Sequence, residues 1–260
     1  MIKVTLARLQ QKHRTMAYPD GAPPPLPDRY RGQPLFDTAK CPAGCRVCFD
    51  ACPTGALDPQ LPGRIDLGKC LFCTECASAC PQQAVAFGTS HQLAARRRDD
   101  LVVARGAAVE AAGAALDVKL KKLFGRSLKL RQVSAAGCNA CEADCNVLTT
   151  VGWDLGRFGI QFVASPRHAD GVLVTGPVSQ NMALALKKSY DACSDPRIVI
   201  AVGACAISGG PYAGRSEVCG GAAALVPVDL YIPGCPPHPL TILDGLLRLI
   251  GRIEDGTRKA

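Results

Sequence analysis

Short apolar runs rich in β-branched residues alternate with amphipathic stretches in the second half of the chain. Runs that predict strands lie at 128–133, 160–163, 171–175, 197–202 and 228–232, and helical patterns lie near 144–151, 180–192 and 240–250. Strands that alternate with helices favour a parallel sheet covered by helices. Residues 128–260 are therefore expected to form an α/β domain with a mostly parallel, flavodoxin-like sheet.

The first half has a different pattern, which divides it into three segments. Residues 1–40 contain Pro23, Pro24, Pro25 and Pro27, and this predicts an extended proline-rich arm. Residues 41–90 hold only short apolar segments and an internal repeat. Residues 91–127 are rich in Ala, Leu, Lys and Arg, without proline between 93 and 123, and predict a basic helical connector.

The 15 cysteines of this 260-residue chain require either disulfides or bound metal. The first ten residues are too charged for a signal-peptide core, so we expect reduced thiols in a cytoplasmic protein. No run of about 18 apolar residues is present, and a direct membrane span is not expected. The net charge of +8 is concentrated in the arm and the connector, and 5% aromatic content argues against nucleic-acid binding.

The repeat in residues 41–90 consists of two cysteine runs that each end in Cys-Pro. The second run, Cys70-x2-Cys73-x2-Cys76-x3-Cys80-Pro81, has the spacing of bacterial two-cluster ferredoxins. The first run has one additional residue between its first two cysteines, where Gly44 can accommodate the backbone. Crosswise ligation assigns Cys41, Cys45, Cys48 and Cys80 to cluster 1, and Cys52, Cys70, Cys73 and Cys76 to cluster 2.

This spacing predicts an α+β ferredoxin-like domain with two [4Fe–4S] clusters, since the short apolar segments leave little core to stabilise it otherwise. The resemblance to two-cluster ferredoxins covers about fifty residues and implies electron transfer. Zinc is the alternative, because zinc also binds sets of four cysteines. Zinc sites normally combine cysteine pairs from two separate knuckles, which differs from the runs found here.

A third site is indicated by cysteines that follow predicted strands. Ligands of open parallel sheets collect beyond the carboxyl ends of the strands. The favoured set consists of Cys138, Cys141, Cys205 and Cys235. Cys145 and Cys219 remain alternatives for these four positions, whereas Cys193 is expected to be a small buried residue near a helix end.

Ordered motifs between about residues 120 and 250 resemble one family. They are LFGRSL at 123–128, GCNACE at 137–142, SPRHAD at 165–170, VTGP at 174–177, GACA at 203–206 and PGCPP at 233–237. They are similar to the small subunit of membrane-bound [NiFe] hydrogenases of the formate hydrogenlyase type, which is related to a subunit of respiratory complex I. The segment 29–34 resembles the lead-in of the ferredoxin-like subunits of such complexes.

The resemblance implies three [4Fe–4S] clusters, a [NiFe] large subunit and membrane subunits as partners, and a position on the cytoplasmic face of the membrane. A soluble redox donor or acceptor is a further implied partner. The resemblance also implies a proton-relay role for Glu142, and the alternative is an ordinary carboxylate at a helix start. No histidine is paired with a nucleophile, so we expect catalysis to belong to the complex.

Two functional alternatives stay open at the level of sequence. One is an equivalent subunit of a complex I-like or hydrogenase-related ion-pumping complex that lacks the NiFe centre. The other is a free-standing electron-transfer module.

Overall fold

The computed structural model describes residues 2–12, 14–104, 122, 124 and 127–253. Among residues 2–104 that are described, the helices are α1 (Ile2–Gln11), α2 (Val47–Asp50) and α3 (Glu75–Ala79). The short strands of this N-terminal part are β1 (Pro34–Phe36), β2 (Arg64–Asp66), β3 (Val85–Phe87) and β4 (Val102–Ala104). Strand β1 pairs antiparallel with β3, and β2 pairs antiparallel with β4.

The C-terminal part is built on five parallel strands, β5 (Leu128–Ser134), β6 (Ile160–Phe162), β7 (Gly171–Thr175), β8 (Ile198–Val202) and β9 (Leu230–Ile232). Its helices are α4 (Ala140–Val147), α5 (Gln180–Asp191), α6 (Ala204–Ser208) and α7 (Pro239–Leu249). The strand order β6-β5-β7-β8-β9 is the flavodoxin-like order, and every neighbouring pair is parallel. The prediction of a parallel, flavodoxin-like α/β domain is confirmed.

The central strands are buried on both faces, as parallel sheets covered by helices require. Alternate residues of β7 point to opposite sides, so Val172 and Val174 join one apolar core whereas Leu173 joins the other. The core that contains Val174 also includes Ile65 and Leu101 from the N-terminal part. The two parts therefore share one continuous apolar core.

The connector differs from the sequence-based prediction. Residues 93–104 are not α-helical. Ala95 forms a β-bridge with Tyr231 of β9, residues 98–101 form a 3-10 turn, and strand β4 follows. The helical prediction is wrong here because Leu101 and Val103 are buried in the shared core, and the strand supplies backbone partners to β2. Of the remainder of the predicted helical connector, residues 105–121, 123, 125 and 126 lie outside the described residues, whereas the described Lys122 and Phe124 are helical.

The arm is also not extended throughout. Residues 2–11 form helix α1, in keeping with the absence of proline before Pro19. After the helix, the chain packs on the α/β domain. The hydroxyl of Tyr18 donates to Asp244 Oδ1 at 2.5 Å, and the Arg157 guanidinium donates to the carbonyls of Met16 and Tyr18 at 2.6 Å each.

Helix α4 begins earlier than its pattern predicts. The sequence places the helix near 144–151, whereas it covers Ala140–Val147. Asn139 adopts a left-handed backbone conformation with φ 72° immediately before the first turn, and this marks the helix start. The early start places Cys141 and Glu142 in the first turn. Within the described residues, none of the helices combines the length and apolar character that crossing a bilayer requires.

Candidate iron–sulfur sites

The first predicted set of thiols surrounds one pocket in the N-terminal part. Cys41, Cys45, Cys48 and Cys80 all line this pocket. Burial raises the pKa of the Cys41 thiol, and the neighbouring Cys45 and Cys80 thiolates raise it further. Gly44 has a φ of +76°, a conformation that glycine tolerates, at the place where the first run has its extra residue. The structure thus brings the four residues of the cluster 1 set together.

The second set surrounds a neighbouring pocket, which Cys52, Cys70, Cys73 and Cys76 line together. Burial raises the pKa of Cys70 to about 12, and the neighbouring thiolates of Cys76, Cys52 and Cys73 add to that increase. Such a buried thiol gives up its proton when a metal binds the sulfur and compensates the charge.

Backbone N–H groups point at several of these sulfurs. The N–H of Ala56 donates to Cys52 Sγ, and the N–H of Ala84 donates to Cys80 Sγ, each at 3.3 Å. The two contacts occupy equivalent places in the internal repeat, four residues after the Cys-Pro cysteine. Hydrogen bonds of this kind favour the thiolate form that binds metal and tune a cluster's reduction potential.

The third set lies at the carboxyl ends of three parallel strands. Cys138 and Cys141 follow β5, Cys205 is in α6 directly after β8, and Cys235 follows β9. Cys205 has its pKa raised to about 11, first by burial and then by the nearby Cys235 and Cys138 thiolates. Burial is also the main cause that raises the pKa of Cys141, with further contributions from Cys205 and Cys235 among its neighbours. The electrostatic effects among these thiols indicate that the four residues lie near one another at this edge of the sheet.

Glycine is required where the backbone passes these sulfurs. Gly203 has a φ of +90°, and a Cβ at this position would lie 2.6 Å from Cys141 Sγ. A Cβ on Gly210 would lie 2.8 Å from Cys205 Sγ. Both distances are shorter than real Cβ contacts, so a side chain at either glycine would displace a sulfur of the third set.

The three remaining cysteines pack against apolar side chains. Cys145 is fully buried in the core with Leu148, and Cys193 is buried and donates to the Ser189 carbonyl at 3.4 Å. Cys219 is half-buried against the opposite core, and its N–H donates to the Val178 carbonyl at 2.8 Å. Cys145 still lies close enough to Cys141 to raise the pKa of that thiol.

The three sets are neighbours in space. The Cys48 thiolate acts on Cys76, which joins the first set to the second. Cys73 acts on Cys235, which joins the second set to the third. Cys73 and Cys235 also line one groove of about 560 Å³ together with Phe72, Pro236 and His238. The second set is therefore a neighbour of both other sets.

Glu142 is buried next to the third set. Its Oε1 accepts hydrogen bonds from Ser134 Oγ at 2.6 Å and Thr175 Oγ1 at 2.7 Å. Burial raises the pKa of this carboxyl, but the hydrogen bonds from Ser134 and Thr175 outweigh burial and hold the pKa below its ordinary value. The carboxylate thus connects helix α4 to the carboxyl ends of β5 and β7, a role the sequence did not suggest.

The fold and the site together define a class of protein. Its members have an α/β domain with a five-stranded sheet of flavodoxin-like order, and they carry cysteines at the carboxyl ends of the strands. Comparison with known families is specific: the family described as NADH ubiquinone oxidoreductase, 20 Kd subunit, matches residues 138–249. The chain belongs to this family, whose members bind a [4Fe–4S] cluster. The eight cysteines of the first two sets precede the matched region.

Three relatives illustrate the range of the family. The chain is 40% identical to formate hydrogenlyase subunit 7 of Escherichia coli over 54% of its own length and 55% of that protein. It is 38% identical to the probable membrane-bound hydrogenase subunit mbhJ of Pyrococcus furiosus over 52% of its length and 81% of the relative. It is 41% identical to an NADH-quinone oxidoreductase subunit of Phocaeicola vulgatus over 50% of its length and 66% of the relative.

The chain thus spans about half the length of formate hydrogenlyase subunit 7. These similarities confirm the resemblance to a subunit of complex I-related hydrogenases that the motifs indicated.

Proposed function

We propose that this chain is an electron-transfer subunit that relays electrons through three [4Fe–4S] clusters. The ligand sets are Cys41, Cys45, Cys48 and Cys80 for cluster 1, Cys52, Cys70, Cys73 and Cys76 for cluster 2, and Cys138, Cys141, Cys205 and Cys235 for cluster 3. Four thiolates are the donor set that a cubane cluster requires, and the first two sets each line one pocket, which supports the proposal. Residues 41–90 act as a ferredoxin-like module in this proposal.

The proximity of the three sets is the observation that supports a relay most directly. Cys48 and Cys76 interact between the first two sets, and Cys73 and Cys235 interact between the last two. With clusters held by these sets, electrons would pass between clusters 1 and 3 by way of cluster 2, in either direction. The protein's part is to hold the clusters close together, exclude solvent and tune their potentials through N–H···S hydrogen bonds and burial.

The proposed partners are a [NiFe] large subunit, docked next to cluster 3, and membrane subunits that hold the chain at the cytoplasmic face. The names of two relatives, a formate hydrogenlyase subunit and a membrane-bound hydrogenase subunit, support this assignment. A soluble donor or acceptor exchanging electrons at cluster 1 completes the scheme. The catalytic step takes place on the large subunit.

A second candidate is the equivalent subunit of a complex that lacks the NiFe centre. It is supported by the 41% identity to an NADH-quinone oxidoreductase subunit. Nickel in the complex purified with this chain from its native membranes distinguishes the two candidates. One nickel per chain supports the hydrogenase, and a complex with iron but no nickel supports the second candidate.

The cluster count is tested by measuring iron and acid-labile sulfide after anaerobic purification, together with EPR of the reduced protein. We expect about twelve iron and about twelve sulfide per chain, since each cubane holds about four of each. About eight of each would remove the third cluster, and zinc in place of iron would overturn the proposal. A stable monomer that carries its clusters and binds no partner would favour a free-standing module.

A further inference from the structure

Helix α1 has a row of large apolar side chains exposed to solvent. Ile2, Leu6 and Leu9 are 77%, 52% and 70% exposed and recur at a spacing of four and then three residues. Residues with this spacing lie on one side of a helix. We call these three residues the α1 apolar stripe. Val4, 74% exposed, lies on another side of the helix.

The charge around the stripe has one sign only. Lys3, Arg8 and Lys12 are exposed in or directly after the helix, and Arg14 follows. The first acidic residue of the chain is Asp20. An exposed apolar stripe with basic neighbours and no acidic ones is the pattern of helices that lie in the interface of an anionic bilayer.

The attachment of α1 to the body of the protein adds a second apolar feature. The N–H of Met16 donates to the Gly152 carbonyl at 3.0 Å, and Thr15 Oγ1 donates to the Val151 carbonyl at 3.2 Å. Val151 itself is 68% exposed. The helix therefore leaves the α/β domain at a surface that also presents an unburied apolar side chain.

We propose that α1 binds directly to the surface of a bilayer containing anionic lipids. The α1 apolar stripe enters the boundary between headgroups and acyl chains, and the basic side chains contact lipid phosphates. Ten residues of helix are about 15 Å long, which suits a helix lying in the interface and is about half of what spanning requires. This inference goes beyond the proposed function, in which partner subunits provide the attachment to the membrane.

The test is flotation of the purified, cluster-loaded chain with two kinds of vesicle. One kind contains phosphatidylglycerol and phosphatidylcholine, and the other contains phosphatidylcholine alone. The double variant Leu6→Asn/Leu9→Asn removes two residues of the stripe. The matched control is Leu184→Asn, which changes a leucine of α5 that is 62% exposed. Iron content and circular dichroism establish that each variant is folded.

We expect the wild type and Leu184→Asn to float with the anionic vesicles, and the bound fraction of the double variant to fall about tenfold. Binding is expected to weaken as salt is added and to be lost with phosphatidylcholine alone. Equal flotation of the wild type and a folded double variant would overturn the proposal. So would a wild type that binds neither vesicle, the result expected if the stripe instead covers a protein surface.

The basic side chains are tested separately by Lys3→Gln/Lys12→Gln, which leaves the stripe unchanged. We expect this variant to bind anionic vesicles more weakly and to show a smaller salt dependence, since Arg8 and Arg14 remain. Binding that stays equal to the wild type at low salt would refute the contribution of charge.

Discussion

Replacing Glu142 tests whether this carboxylate holds the third site together. Glu142→Ala removes the acceptor of two hydroxyl hydrogen bonds, from Ser134 at 2.6 Å and from Thr175 at 2.7 Å. Thr175 is fully buried, and its remaining acceptor is the Val133 carbonyl at 3.4 Å. Ser134 is exposed and can bind water after the change.

The expected loss follows from these contacts. A hydrogen bond to a charged group contributes about 1.5–3 kcal/mol, so the buried Thr175 contact accounts for most of a loss of about 3 kcal/mol in the free energy of unfolding. Glu142→Gln keeps an amide oxygen as acceptor and is expected to lose about 1 kcal/mol. Glutamine is the matched control because it has nearly the size and shape of glutamate without the charge.

The assay is anaerobic urea unfolding of the cluster-loaded chain, followed by both cluster absorbance and far-UV circular dichroism. Because unfolding releases the clusters, the urea midpoints of the variants are compared under identical conditions, and a loss of stability is measured as a lower midpoint with both probes. A Glu142→Ala variant as stable as the wild type would refute the argument. A Glu142→Gln variant as unstable as Glu142→Ala would show that charge, rather than the acceptor position, is what matters.

The pH dependence of the same comparison separates the structural role from a proton relay. The folded pKa of Glu142 lies below its ordinary value of 4.5, so its stabilising effect is present above that value and is lost as pH falls through the folded pKa. The difference between wild type and Glu142→Gln is therefore expected to stay constant from about pH 5.5 to about pH 8. A change within that range would indicate a carboxyl that exchanges protons near neutrality.

Three further measurements test other parts of the structure. Cys205→Ser is expected to lower the iron content from about twelve to about eight per chain. Cys145→Ser, at a buried position outside the proposed sets, is expected to keep about twelve. The reverse result would make Cys145 the ligand and Cys205 the structural residue. Gly203→Ala places a methyl group against a sulfur of the third set and is expected to reduce iron as Cys205→Ser does, so an unchanged iron content would contradict the close approach. Tyr18→Phe removes the hydrogen bond from Tyr18 to the buried Asp244 carboxylate, which contributes about 2 kcal/mol. We expect limited proteolysis of the arm to become at least about tenfold faster. An unchanged rate would show that this hydrogen bond does not hold the arm on the α/β domain.

Sequence patterns predict well the features that depend on neighbouring residues. The strand expected at 171–175 is β7, which covers Gly171–Thr175, because a doubly buried strand is a continuous apolar run. The grouping of the cysteines in residues 41–90 can also be predicted from the sequence. Each run of the chain must curl around one site, so its cysteines recur at intervals of three or four residues. The ligand assignments themselves stay predictions until iron is measured.

Local composition is misleading where distant contacts decide the conformation. Residues 93–104 have a helical composition, but Leu101 and Val103 are buried in the core shared by both parts of the chain, and Ala95 pairs with Tyr231. The sequence-based prediction misses helix α1 for a different reason, since the prolines later in the arm dominate the composition of residues 1–40. The pattern of neighbouring residues does not specify which distant part of the chain a segment will pack against.

The sequence by itself determined the parallel α/β domain and the family, and it grouped the cysteines of residues 41–90 into two runs, because spacing and periodicity are properties of contiguous residues. Only the tertiary structure decided that Cys73 and Cys235 line one groove, that Glu142 joins two strands to α4, and that α1 leaves its apolar stripe exposed. Those arrangements depend on the free energy of packing segments far apart in the chain. The same packing places the second set next to both other sets, and this proximity supports the proposed relay.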